Sequence, residues 1–150
     1  EIVLVNQITS REITRAISRV GGRTPMTASG MGKAVLSCYS PDDVSAVLRR
    51  RGMRRITGKT LTSRDALERE LADARTNGYS VDDEEFLPGL RCVAAPVYDS
   101  QAEVVCAISV SGLPARMTAE RIPTLGRLLA QTAAELTMVL GGAPGRYAWE

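Results

Sequence analysis

The sequence predicts an α+β domain built on an antiparallel sheet flanked by helices, and three observations lead there. The elements follow one another as two strands, three helices, a group of strands and a closing helix, the segregated order of α+β folds. Two of the later strands are separated by only four residues, Asp99-Ser100-Gln101-Ala102, which suits an antiparallel hairpin and rules out a parallel crossover. The 150 residues, 44% of them apolar, are enough to bury one core without disulfide staples.

Each element has its own signal. Ile2-Val3-Leu4-Val5 is a short apolar run, and residues 13–20 are rich in β-branched side chains ahead of Gly21-Gly22, so both read as strands that pair as neighbours. Ser29-Gly30-Met31-Gly32 is a glycine-rich entry into a short buried helix carrying Ala34, Val35, Leu36 and Cys38. A second helix starts at Ser40-Pro41-Asp42-Asp43, with Ser40 as cap, Pro41 in the first helical position and acids in the first turn. It buries Val44, Val47 and Leu48, and Gly52 stops it. Thr62-Ser63-Arg64-Asp65 resembles a capping box for a third helix, which buries Ala66, Leu67, Leu71 and Ala74 and ends at Asn77-Gly78. A strand starts at Tyr79, and residues 92–98 and 103–111 form the hairpin arms, with Pro96 placing the first arm at an edge or a bulge. Leu125, Leu128, Leu129, Thr132, Leu136, Val139 and Leu140 fall at helical spacing in a long helix covering one face of the sheet. Residues 143–150 read as a frayed tail.

Composition excludes several function classes. Histidine is absent, which removes Ser-His-Asp and Cys-His nucleophilic arrangements and every histidine metal site. Cys38, Cys92 and Cys106 are odd in number and far apart, so they read as buried thiols and not as a disulfide framework or a zinc site. The acidic run Asp82-Asp83-Glu84-Glu85 lacks EF-hand spacing and reads as a solvated turn, so neither metal nor cofactor is expected. Gly30-Met31-Gly32-Lys33 is not a phosphate loop, because Ala34 follows the lysine where Ser or Thr is required. The arginines at 49–51, 54 and 55 read as a solvated helix end, since net charge is only +2 and aromatic residues are 4%. With no apolar run of membrane-spanning length and no signal-peptide pattern at the start, the expected location is the cytoplasm.

Four blocks carry a family resemblance. Thr24-Pro25-Met26-Thr27-Ala28-Ser29-Gly30-Met31-Gly32-Lys33-Ala34-Val35-Leu36 resembles the opening motif of the effector domains of IclR-type bacterial regulators. Residues 78–85, 89–97 and 107–112 resemble that family's remaining signature blocks, in the same order and at similar spacing. The resemblance covers residues 1–142 and implies a GAF-like or profilin-like fold, a ligand pocket and a homodimer or homotetramer. It also implies that operator DNA is met by an N-terminal winged helix-turn-helix domain that nothing in this sequence matches. It is nearest to the family's repressors of acetate and allantoin utilisation, which implies a short oxo-acid or aldehyde-acid effector such as glyoxylate, pyruvate or succinic semialdehyde.

Carried over by motif position, the ligand pocket is lined by Gly30, Met31, Asp82, Cys92, Ser109 and Ser111. Taken without the resemblance, Cys92 and the two serines read as small residues of a packed sheet. The chemistry is nevertheless coherent. Ser109 and Ser111 lie on one side of a strand, opposite Ile108 and Val110, and a glycine-led helix start offers free N–H groups to an anion. Such a site holds a carboxylate without a buried lysine or arginine, while Asp82 accepts from a hydroxyl at the other end. Thr27 stands where many members carry histidine and Met31 where near relatives carry a smaller residue, which admits slightly longer acids. An aromatic-acid sensor, a small enzyme using Cys92 as nucleophile and a plain dimerisation module are the alternatives.

Overall fold

The computed structural model describes residues 1–8, 20–143 and 145. The elements run β1 (Ile2–Val3), β2 (Arg23–Thr24), α1 (Gly30–Ser37), α2 (Pro41–Arg51), α3 (Arg64–Asn77), β3 (Ser80–Asp83), β4 (Arg91–Tyr98), β5 (Val104–Gly112) and α4 (Ile122–Val139). This is the expected order of strands and helices. One position differs: β1 pairs with Arg23–Thr24, and the strand expected over 13–20 lies outside the described residues except for Val20, which sits in a turn.

β3, β4 and β5 form an antiparallel sheet with β4 in the middle. Alternate residues of a strand face opposite sides, so Val93, Ala95 and Val97 point to one face and Cys92 and Ala94 to the other. All five are buried, because both faces are covered. On the odd face, Val93, Ala95 and Val97 pack with Met117 and with Leu129 and Ala133 of α4. On the even face, α1 lies across the strands, and behind it Leu36 joins Val44, Leu67 and Leu71 in a second cluster that ties α1, α2 and α3 together. Each of these fully buried leucines contributes about 2–3 kcal/mol by leaving water.

The caps explain the helix limits. Ser29 Oγ accepts from Gly32 N, Ser40 Oγ from Asp43 N and Ser63 Oγ from Ala66 N, each supplying an acceptor to a first-turn amide. The third cap is therefore Ser63, and Ala66 stands where a capping box needs Glu or Gln, so its reciprocal half is missing. Gly78 ends α3 in the left-handed conformation at φ 78°.

Pro96 is expected at an edge or a bulge, and the irregularity is found beside it: β4 is central in its sheet, but β3 stops pairing at Ala94 and the register shifts between Val97 and Tyr98. The apolar spacing of α4 misplaced its buried face. Gly126, Leu129, Ala133 and Thr137 face the sheet, while Leu128, Thr132, Val139 and Leu140 are exposed. Small residues turn inward there because the contact is close: a Cβ on Gly126 would lie 2.4 Å from the Tyr79 ring.

Candidate ligand site

Strand register builds the site. Asp82, Cys92 and Ser111 are paired across β3, β4 and β5, and Ser80, Ala94 and Ser109 form the next row on the same face. The first turn of α1 covers these rows. Ser80 Oγ donates to Gly30 O at 2.7 Å, and a Cβ on Gly30 would stand 2.9 Å from Cys92 Sγ. Glycine is required by that approach, and again at Gly32, where a Cβ would be 2.4 Å from the Met26 backbone.

The structure thus brings Gly30, Asp82, Cys92, Ser109 and Ser111 together, with Met31 half-buried beside Gly30 in the same turn. The Ser29 cap occupies Gly32 N, so the amides of Gly30 and Met31, which precede the helical ladder, are the ones left to an anion. A cavity of about 360 Å³ opens at the β5 edge on the α4 side of the sheet, lined by Val110, Met117 and Leu125, and of these rows it shares Ser111 alone. Another, of about 230 Å³, lies under α4 between Pro96, Tyr98 and Ala130 and is remote from them.

The electrostatics follow from burial. Asp82 is 3% exposed, and desolvation pushes its carboxyl up to about 6, although its Oδ1 accepts from Glu85 N at 2.8 Å and Phe86 N at 3.4 Å. Glu85 adds to the rise, and Lys33 opposes it. Burial pushes the Cys92 thiol up to about 11, with Ser111 and Ser109 acting the other way, so at neutral pH it is a neutral thiol and a poor nucleophile. Cys38 is half-buried, and the expectation that all three thiols are buried fails at Cys106, which is exposed on the edge strand β5.

Sequence reasoning missed the lysine. The expected site had no buried cation, yet Lys33 is 0% exposed, with Nζ 2.5 Å from Glu85 Oε1 and 3.3 Å from Glu70 Oε2. Glu85 is buried as well, so the acidic run is only in part a solvated turn: Asp82 and Glu85 point inward, while Asp83 and Glu84 bind Lys59 outside. A lysine three residues after Gly30, directly before the apolar stretch Ala34-Val35-Leu36, was the available signal, because i and i+3 share a helix face. Among the described residues no cluster of three Cys, Asp or Glu side chains is arranged to hold a metal ion.

An antiparallel sheet with polar rows under a helix start defines an α+β domain with a candidate sensing face, and comparison with known proteins gives its family. Residues 1–138 match the family model described as the bacterial transcriptional regulator IclR C-terminal. The chain belongs to the IclR family and represents its effector-binding domain, which is not an enzyme family. It is 40% identical over 142 residues to the acetate operon repressor of Salmonella typhimurium, covering 95% of this chain and 52% of that protein. The fold is similar to that of the Thermotoga maritima IclR, with a TM-score of 0.82 and 28% identity over 91% of this chain and 55% of the other. It is also similar to the inducer-binding domain of a double mutant of Acinetobacter PobR in complex with 3-hydroxybenzoic acid, with a TM-score of 0.76 and 25% identity, covering 85% of this chain and 74% of that one. The chain spans about half the length of the curated relatives it matches. Among the described residues no helix is long and apolar enough to cross a membrane.

Proposed function

We propose that this domain senses a short oxo-acid or aldehyde-acid, such as glyoxylate, pyruvate or succinic semialdehyde, on behalf of a transcriptional repressor whose operator contacts are made by another part of the full-length protein. The observation that carries the reading is the row Asp82–Cys92–Ser111 lying under the first turn of α1. The effector carboxylate meets the Gly30 and Met31 amides with the Ser109 and Ser111 hydroxyls, along a wall formed by the Cys92 thiol. Asp82, whose Oδ1 is engaged by the turn, offers its second oxygen to the hydroxyl of a hydrated aldehyde. The small residues Gly30, Cys92 and Ala94 favour a compact ligand. Binding shifts the population of domain arrangements only if the effector prefers one of them, and that preference is the signal. Self-association as a homodimer or homotetramer is part of the same reading, supported by apolar side chains exposed on α4 and β5.

A thermal-shift screen against these acids tests it. An effector at a hundred times its dissociation constant stabilises by about 2.7 kcal/mol, roughly 5–10 °C for a chain of this size. Asp82→Asn and Ser109→Ala are each expected to weaken binding by about ten- to a hundredfold. Unchanged affinity in both would overturn the site. The likeness to the PobR domain favours one second reading, an aromatic hydroxy-acid effector, and 3-hydroxybenzoate in the same screen decides between them.

A further inference from the structure

Lys33 and Glu85 sit behind the ligand rows and touch neither Cys92 nor the serines through any hydrogen bond or ion pair, yet they join the two ends of the pocket. Lys33 leaves α1 one turn after Gly30 and ends 2.5 Å from Glu85 Oε1. The next link is the backbone of Glu85, whose N–H donates to Asp82 Oδ1 at 2.8 Å. Its carbonyl accepts from Thr60 Oγ1 at 2.7 Å and Thr57 Oγ1 at 3.2 Å. Glu84, between them, holds φ 61°, an uncommon conformation for a residue with a side chain, and Lys59 Nζ and Gly89 N grip its carboxylate at 2.7 and 2.9 Å. Glu85 Oε2, by contrast, is buried without a hydrogen-bond partner among the described residues. A dry carboxylate with one oxygen unpaired persists only because its other oxygen faces an ammonium.

We propose that Lys33 and Glu85 are positioning residues for effector recognition, a clamp that holds the amide end of the pocket on α1 at a set distance and charge from the carboxyl end at Asp82. The inference rests on the effector reading of the pocket. Its charge logic is closed by the groups around Asp82. Lys33 faces it from α1 and Glu85 from its own turn, and Glu70 of α3 stands behind Lys33 with its side chain 42% exposed. β4 presents the neutral Cys92 thiol and β5 only hydroxyls. Asp83 and Arg91 pair with each other on the opposite face, where Lys59 binds Asp83 and Glu84. The dry end therefore holds two carboxyls against one ammonium. An anionic effector enters most favourably when Asp82 takes up a proton, since its Oδ2 then still accepts from the effector hydroxyl, which the amide nitrogen of an asparagine does not, and the Lys33–Glu85 pair sets the pH at which that happens.

The test titrates the ¹³C-labelled Asp82 carboxyl by NMR without ligand, and measures glyoxylate affinity by calorimetry from pH 5 to 8. It compares the unmodified chain, Lys33→Met, Glu85→Gln and the double variant. Glu85→Gln, which leaves the Lys33 ammonium facing Asp82 without its buried counter-charge, is expected to move the Asp82 midpoint down by about one pH unit, and with it the pH above which glyoxylate affinity falls; in Lys33→Met the unpaired Glu85 carboxyl takes up its own proton and the midpoint stays near its original value. The double variant loses one charge of each sign, so its midpoint returns toward the original value, and it keeps the comparison available if Lys33→Met does not fold. An Asp82 midpoint that is the same in all folded variants overturns the clamp, as does a moved midpoint that leaves the pH profile of glyoxylate affinity unmoved. A moved midpoint with no binding of glyoxylate at any pH supports the clamp's hold on Asp82 and overturns the effector reading instead.

Discussion

Asp82, the proposed partner of the effector hydroxyl, is a buried acid. Its folded-state carboxyl lies near 6, above its ordinary value of 3.8, so the protonated form favours the fold. The stability it supplies is complete below pH 4 and is lost as pH rises through about 6. A carboxyl held this far above its ordinary value costs the fold on the order of 3 kcal/mol at neutral pH, less what local water recovers. Asp82→Asn keeps an acceptor for the Glu85 amide and removes the charge. Urea unfolding is expected to show the variant more stable by about 1–3 kcal/mol at pH 8 and nearly unchanged at pH 4, a gain opposite in sign to its loss of effector binding. A second residue-scale prediction concerns the thiols. Iodoacetamide at pH 7.5, read by mass spectrometry, is expected to label exposed Cys106 first and to leave Cys92 unmodified in the folded domain. The grouping of Asp82, Cys92 and the serines as a candidate site was legible through motif resemblance, and strand register sets them on one face. The burial that sets their protonation was not legible, because it depends on which element covers the sheet.

Among the elements, α1 is the most constrained, since two glycines let it touch the sheet and the preceding loop. In an open helix, alanine for glycine stabilises by about 1 kcal/mol. Here Gly32→Ala places a methyl 2.4 Å from backbone atoms of Met26 that cannot swing aside, so denaturant unfolding is expected to show a net loss of about 2–3 kcal/mol. Gly30→Ala meets the movable Cys92 thiol at 2.9 Å and is expected to cost less stability while closing the pocket to acids. Helix α4 shows where sequence patterning runs out. Its leucines recur at helical spacing on more than one face, and periodicity alone cannot tell which apolar face meets the sheet. The structure buries Gly126, Leu129 and Ala133 and leaves Met138 and Val139 73% and 82% exposed. If this second face carries the self-association, Met138→Glu with Val139→Glu is expected to lower the mass seen by light scattering without lowering Tm. An unchanged mass would place the interface elsewhere.

At the scale of the whole molecule, the chain itself determined the order of elements, the serine caps, the glycine stops and the hairpin. Each is written in a few neighbouring residues and rests on backbone hydrogen bonding and local conformation. Family membership was legible for the same reason, as four short blocks in sequence order. What required the tertiary structure were the facts that join distant segments: β4 in the centre of its sheet, the buried side of α4, and the pairing of Lys33 with Glu85 across 52 residues. A buried lysine is costly unless a carboxylate waits for it, and no local pattern records that the carboxylate is there. The sequence therefore pointed to the residues of the candidate site, and only the packing of α1 on the sheet decided the charge around them.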